Sequence, residues 1–590
     1  MSVLASLAHA YDRMAERHEV PPFGYSTEKI GFVISLNADG TVAGLPSDLR
    51  ESNGKKRVAR PMAVPQPPKR TSGIAPNFLW DKTSYVLGIG EGKRLADEHA
   101  AFVARHEDWL SKSEDAGLKA LLLFLRAWRA EAFDSWRWPE DMKDQNAVFA
   151  LESERLQNIY IHDRPAARTL WAHHSSSDEK AKSVCLVSGD QASIARLHPA
   201  IKGVWGAQSS GASLVSFNLD AFESYGHEQG ENAPVSEAAA FAYTTVLNKF
   251  LESGSKNRIQ IGDASTVFWA DAGDAEIAEE VEGIFAAMLG AEIDEAMQAG
   301  KVGAILEKIR NGQPLKDFAP NLAEGVRFCV LGLAPNAARL SVRFWLESDF
   351  GTVAKNYQRF LDDMRIAPPP RDIHVPLWRY LIETAVLRKR ENIPPNLTGE
   401  WMRSILTGTS YPLTLLSSTL IRLRSDKDAK PYSDHFALRA SIIKAVLKGN
   451  RFWEAPVELD RTKKDPLKDA AYLLGRLFAI LERFQQLALG ENINATIRDR
   501  YYGAASATPG MVFPLLLRLN MHHQNKAESN NGALTGYYLK QLREVMSALP
   551  PAFPNALALV DQGKFALGYY QQFNVRSDSK ASKANGETTE

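Results

Sequence analysis

The chain changes its pattern at "IAPPPRD", residues 366–372. Three consecutive prolines fix φ and remove three backbone donors, so no helix interior or central strand runs through them. Before this point apolar residues come in short alternating runs broken by Gly, Pro and Asn, the signature of strands, turns and short helices. After it, from about Trp378, they recur with a helical period. A chain of 590 residues exceeds what a single hydrophobic core holds. The expected fold is therefore α+β: mixed α/β N-terminal modules followed by a C-terminal α-helical bundle. The expected division is an N-terminal α+β domain over 1–210, a central α+β domain over 211–370, the bundle over 371–576 and a disordered polar tail over 577–590.

Within that frame the first residues read as an amphipathic helix, with Val3, Leu4, Leu7, Ala8, Tyr11 and Met14 on one face. "NADG" at 37–40 signals a hairpin turn. Helices are expected at about 92–111, 115–128 and 192–198, and "AIKGVWGAQSSGASLVSFNLDAF" reads as strand, loop and strand. Ser236 caps a helix whose face carries Ala240, Tyr243, Leu247 and Phe250. "STVFWAD" is a buried strand, and two short strands flank the Ala-Pro-Asn turn at 334–336. The strongest helix is "DAAYLLGRLFAILERFQQLAL", striped by Leu473, Leu477, Ile480, Leu481, Phe484 and Leu487.

Several functions are excluded by pattern. No apolar run reaches the ~18 residues of a membrane span, and the N-terminus lacks the build of a signal peptide. The two cysteines, Cys185 and Cys329, give no disulfide framework and point to a reducing cytoplasm. "LGIGEGKR" fails the phosphate-loop pattern, because position 87 is Leu87 and position 94 is Arg94; its alternating glycines also fail the dinucleotide fingerprint. "GAQSSGAS" is not a nucleophile elbow. His173-His174 and His522-His523 are adjacent pairs whose side chains diverge, and "HDR" at 162–164 stands alone. No catalytic residue, metal or cofactor is expected. The rival reading is a metal-dependent nuclease with a dispersed acidic site.

Recognition chemistry is better represented. Lysine plus arginine (70) equals aspartate plus glutamate (70), yet the charge is unevenly spread. Six basic residues and no acid lie between Ser52 and Trp80, and 22 basic against 15 acidic residues lie between Glu400 and Val575. Local charge is what a phosphate backbone feels. In "VPQPPKRTSGIAPNFLW", Lys69 and Arg70 offer cations, Thr71 and Ser72 hydroxyls, and Asn77 an amide able to read a base edge. Phe78 and Trp80 read as core residues holding that loop. A second candidate is Lys202 with Gln208, Ser209 and Ser210, a cation and a donor-rich turn. A third is the basic set Arg422, Arg424, Lys427, Lys430, Arg439, Lys444, Lys448 and Arg451, the last four spaced along one broad helix side, a surface suited to tracking a single strand. The alternatives are a solvated Pro-rich connection, a hairpin capped by small residues and a solvated helix face.

These residues also carry a resemblance. "PQPPKRTSGIAPNFLWDKTSYVLG", "IKGVWGAQSSGASLVSFNLDAFESYGHEQGENAPVSEAAAFAYTTVLNKFL", "GDASTVFWAD" and "VLGLAPNAARLSVRFW" resemble the large subunit of the type I-C CRISPR Cascade surveillance complex. The likeness runs from "FGYSTEKI" to "YYLKQL". It implies a non-enzymatic, cytoplasmic DNA- and RNA-binding role in antiviral defence. Such a subunit reads the protospacer-adjacent motif in target double-stranded DNA, promotes duplex opening and R-loop formation, and holds the displaced strand. Base pairing with a guide RNA reads the rest. The implied partners are the Cascade backbone subunits, the handle-binding processing subunit, a small subunit and a transiently recruited helicase–nuclease. By this resemblance Lys69, Arg70, Thr71, Ser72 and Asn77 face the motif duplex. Lys202, Gln208, Ser209 and Ser210 form a strand wedge, and Arg422, Arg424, Lys444, Lys448 and Arg451 hold the displaced strand. The C-terminal bundle resembles a small subunit, which the same gene's 3′ end can encode, although neither Met402 nor Met511 is an obvious start. Glu228, Glu231 and Asn232 are expected to cap the helix that follows them.

Overall fold

The computed structural model describes residues 2–17, 19–53, 56–68, 73–175, 182–289, 300–372, 375–428, 430–459, 468–490 and 495–575. The tail 577–590 lies outside them. The fold is mixed α+β with a helical C-terminal region, as the sequence pattern predicts. It groups into two compact units, one of residues 1–199 with 215–249, the other of 200–214 with 250–590.

The first unit opens with helix α1 (Val3–Glu16), capped by Ser2 Oγ and buried through Leu7 and Tyr11. Strands β1 (Tyr25–Ile30), β2 (Phe32–Leu36), β3 (Ser47–Asp48), β4 (Arg60–Pro65) and β5 (Trp80–Lys82) follow, then helices α2 (Leu95–Leu110) and α3 (Ala116–Ala127) and strand β6 (Asn146–Leu151). The sheet order is β3-β2-β6-β5, with β2 and β6 parallel, while β1 and β4 form a separate antiparallel ribbon. Alternation along β2 sends Phe32, Ile34 and Leu36 to a core with Leu118, Leu121 and Leu125 of α3. Val33 points the other way, into a cluster with Val64 and Trp80. Both faces of β2 are therefore covered, and all five of its residues, Ser35 included, are buried. The "NADG" turn forms, with Gly40 at φ 81°, and its return arm makes the Leu36–Val42 bridge and then β3, which pairs antiparallel with β2. The other edge of β2 pairs with β6.

The helix expected over 192–198 does not form. Strand β7 (Lys182–Val184) pairs with β8 (Gln191–Ser193), and the chain continues extended, with the Ala195 N–H on Val235 O at 2.9 Å. Seven residues ending before Pro199 are too few to nucleate a helix against these pairings. Helix α4 (Glu237–Phe250) starts where expected, with Ser236 Oγ accepting the Ala239 N–H at 3.1 Å.

In the second unit, strands β9 (Arg258–Ile261), β10 (Ala264–Asp271), β11 (Arg327–Asn336) and β12 (Arg339–Asp349) form an antiparallel meander. The last two are longer than the sequence suggests. Pro335 continues β11 because β10 pairs no further than Leu333, so no ladder donor is lost there. The turn moves to Ala337, at φ 53°. Helices α5 (Ala275–Met288) and α6 (Phe350–Met364) contribute to the core that covers one face of the sheet.

One buried cluster then runs from Ile261 to Phe573. The cluster continues past the proline run: Ile366 before it is buried, and the Tyr570 hydroxyl donates to Pro368 O at 2.7 Å, while Pro368 and Pro369 themselves are exposed. What changes at residue 366 is the kind of element, not the core. Helices α7 (Leu413–Ser425), α8 (Asp434–Gly449), α9 (Ala470–Leu489) and α10 (Leu559–Asn574) build the helical part. The α9–α10 contact is unusually close: a Cβ on Gly475 would lie 2.0 Å from Phe565 O, and one on Gly568 2.1 Å from Tyr472 O. Only glycine allows the backbones this approach. Two enclosed polar pairs link these helices, Arg476 Nε to Gln572 Oε1 at 2.9 Å and the Tyr569 hydroxyl to Glu482 Oε2 at 2.6 Å.

Candidate nucleic-acid interface

The segment 200–214 belongs to the second unit although sequence on both sides of it belongs to the first. Its stem is closed by two hydrogen bonds between Ile201 and Ala212, each 2.9 Å. Its outgoing arm is fastened to the β11–β12 turn, Ser213 N–H to Ala338 O at 3.1 Å and Leu340 N–H to Ser213 O at 2.9 Å. Inside the loop the Trp205 N–H donates to Ser265 Oγ at 3.0 Å, and Val204 is buried. Gly203 sits at φ 83°, where a Cβ would meet Leu251 O at 2.5 Å. Gly211, at φ 97°, closes a turn by donating to Gln208 O at 2.9 Å. These ties leave Lys202, Gln208, Ser209 and Ser210 all exposed on a braced backbone. They also expose Trp205, 54% accessible and absent from the sequence-based candidates. Its signal was legible: a tryptophan between two glycines has no strand or helix face to join.

The opening loop is held differently. Lys69, Arg70, Thr71 and Ser72 lie outside the described residues. Both stems are described. β4 enters through its ribbon, and the Trp80 indole N–H donates to Pro65 O at 2.8 Å. Phe78 and Trp80 are buried, as core residues. Phe78 stacks 5.7 Å from His106 and 5.7 Å from Trp171. The Leu79 N–H donates to His106 Nε2 at 2.9 Å, which leaves the proton on Nδ1, facing Phe102 O at 2.7 Å. Burial pushes His106 down to about 4, so the ring is neutral. Asn77 is 3% exposed, its N–H on Asp81 Oδ2 at 2.8 Å. It is placed inside the stem, not at the tip, and its amide is not displayed on the surface.

The basic set of the helical part divides. Every residue from Phe436 to Leu447 of α8 is buried. Arg439 is fully enclosed between Glu383 (Nε to Oε2, 3.0 Å) and Asp426 (Nη2 to Oδ2, 2.5 Å). Lys444 is fully enclosed too, its Nζ donating to the carbonyls of Asp362 (3.3 Å) and Asp363 (3.1 Å) at the end of α6. Burial lowers its pKa to about 8. Lys444 is therefore not on a strand-binding surface, because apolar residues surround α8 on every side. Lys448 is half-buried against Asp362 and Asp363, and Arg422 pairs with Asp426 at 3.4 Å. Arg424 is exposed, reaching Gln562 Oε1 at 2.6 Å and Ser506 Oγ at 3.1 Å. Arg451 is exposed just past the helix end, at φ 57°.

Among the described residues, no group of three or more His, Cys, Asp or Glu is placed to hold a metal ion. His162 of "HDR" is buried, and burial pushes it down to about 4. Cys185 and Cys329 are both buried, and neither is in a disulfide. No described helix is long and apolar enough to cross a membrane.

The second-unit loop thus offers a cation, an amide, two hydroxyls and an indole on one rigid support, chemistry suited to phosphates and exposed bases. Comparison with known proteins gives the setting. No curated protein matches the chain. The family model described as CRISPR-associated protein (Cas_Csd1) matches residues 7–576. The match spans nearly the whole chain, and the protein therefore belongs to the Cas_Csd1 family of CRISPR-associated proteins, as a Cascade-type subunit.

Proposed function

We propose that this chain is the non-catalytic large subunit of a type I-C, RNA-guided surveillance complex in the cytoplasm. In this reading it recognises the protospacer-adjacent motif in target duplex DNA, promotes duplex opening, holds the displaced strand and recruits the helicase–nuclease. The observation that carries the reading is the loop 200–214, because a wedge must be both exposed and stiff. Gln208 enters the base step beside the motif and Lys202 neutralises the adjacent phosphate. Trp205 stacks on an unpaired base. Lys69, Arg70, Thr71 and Ser72 face the motif duplex, with Asn77 as the anchor of their loop. Arg424, Lys448 and Arg451 take the displaced strand, Arg422 and Lys444 holding their helices in place. The bundle 371–576 plays the part of a built-in small subunit.

The test is target-duplex binding by the reconstituted guide-RNA complex over a salt series, with wild-type subunit, Gln208→Ala and Trp205→Ala. A scrambled adjacent motif and a pre-opened target are the controls. Gln208→Ala should slow opening of the duplex about tenfold or more and leave binding to the pre-opened target unchanged. Equal behaviour of wild type and both variants on intact duplex sinks the wedge. Equal affinity of the wild-type complex for correct and scrambled motifs sinks motif recognition itself.

A further inference from the structure

We propose that the loop Leu219–Asn232 of the first unit is a docking prong for a cationic polypeptide, a protein subunit assembled beside this chain. The inference rests on the chain working inside a multi-subunit complex and not on its reading of DNA.

Two large apolar side chains stand out from this short loop, Leu219 (57% accessible) and Tyr225 (99%). Large exposed apolar side chains held on a braced loop mark an interaction site. The loop is built to hold them there. Asn232 expected as a helix cap instead ties the loop to itself. Its Oδ1 accepts the Ser224 N–H at 2.9 Å, and its Nδ2 donates to His227 O at 3.1 Å and Gln229 O at 3.0 Å. Glu228 and Glu231 cap each other's turn rather than α4. The base is clamped: the Gly230 N–H donates to Arg196 O at 3.2 Å, Arg196 Nε to Gln229 Oε1 at 2.6 Å, and a Cβ on Gly230 would fall 2.0 Å from Ala195 O. Tyr225 (φ 56°) and Gly226 (φ 76°) form the tip.

Charge selects the class of partner. Asp220, Glu223, Glu228 and Glu231 share the loop with the apolar residues, and no Lys or Arg occurs between Lys202 and Lys249. The cation at the base, Arg196, is engaged by Gln229. A phosphate backbone is repelled by this rim. A protein surface with an apolar socket ringed by Lys and Arg is complementary to it: the apolar anchors supply affinity and the charges supply orientation and association rate. A pre-braced loop also loses little entropy on docking.

Two measurements test this. A benzophenone side chain placed at position 225 of the full chain is irradiated in the assembled complex. The expected product joins this chain to a protein subunit at a peptide carrying Lys or Arg. Adducts to RNA or DNA, or none, overturn the proposal. In the second, full-length Tyr225→Ala and Asp220→Lys are titrated against the complex assembled without this chain. Tyr225→Ala should bind about thirtyfold more weakly, as for truncation of a central aromatic anchor. Asp220→Lys should bind more weakly with a flatter salt dependence. Wild-type affinity for both variants overturns the proposal. Motif preference read on the same preparations separates this outcome from failure of the DNA-reading role, since a prong that docks protein leaves the Gln208→Ala defect unchanged.

Discussion

The loop 200–214 and the helix α8 (Asp434–Gly449) both supply polar and cationic side chains to the second unit, in opposite surroundings. In the loop, glycines at positive φ and backbone hydrogen bonds carry the fold, and Lys202, Gln208, Ser209 and Ser210 are exposed. In α8 the backbone is ordinary helix and the side chains carry the fold, so Arg439 and Lys444 are enclosed and their charges are met by Glu383, Asp426 and helix-end carbonyls. The same residue types are therefore available for binding in one place and committed to stability in the other. Substitution separates the two roles.

The largest effect is expected in α8. Arg439→Ala leaves the buried Glu383 with only His435 and the half-buried Asp426 with only Arg422, and breaking such a buried pair costs about 3–5 kcal/mol. Chemical denaturation of the full chain measures it. A loss under about 1 kcal/mol would mean that α8 is not the interior helix described, and the comparison would fall.

A second test in α8 uses pH. Lys444 has its pKa lowered from 10.5 to about 8 by burial. Below about pH 8 both folded and unfolded chains hold the proton, and the cost of burying the charge is constant. Between 8 and 10.5 the unfolded chain binds the proton and the folded chain does not, so this group makes stability rise with pH. Relative to Lys444→Met, the wild type should gain on the order of 2–3 kcal/mol across that window. A flat difference would place the amine in water.

How much of this contrast was legible in the sequence depends on neighbours more than on the residues themselves. The loop was readable because Gly203, Gly206 and Gly211 leave little side chain to bury it. Trp205 was passed over among them. The α8 cations were misplaced because their spacing was read without the intervening residues. Ala437, Leu438, Ala440, Ile442, Ile443, Val446 and Leu447 occupy every other side, so no solvent face is left. The α9 stripe was readable, since it concerns one helix and its own period. The Gly475–Gly568 approach was not, because it is a property of two helices far apart in sequence. Asn77 shows the same limit: its neighbours Phe78 and Trp80 were read as core, yet the amide beside them was read as surface.

In the loop the effects should be smaller and of another kind. Gly203→Ala forces a left-handed backbone on a residue with a Cβ and drives that atom toward Leu251 O. A cost of about 1–2 kcal/mol is expected from the backbone alone. Thermal melting of the full chain reports it, and the duplex-opening assay should fall with it, because the wedge loses its seat.

Lys202→Ala with Gln208→Ala should change stability least. Both side chains are exposed, and exposed substitutions away from caps and strained positions stay within about 0.5 kcal/mol. The double variant should melt with the wild type while duplex opening drops. That dissociation is the sharpest form of the contrast, for α8 variants should lose both together. If the double variant instead unfolds early, the loop's side chains brace the sheet beneath them, and Lys202 and Gln208 belong to the architecture as Arg439 and Lys444 do. If it melts normally and opens DNA normally, the loop is a rigid ornament of the β11–β12 turn and the wedge must be sought at Trp205 alone.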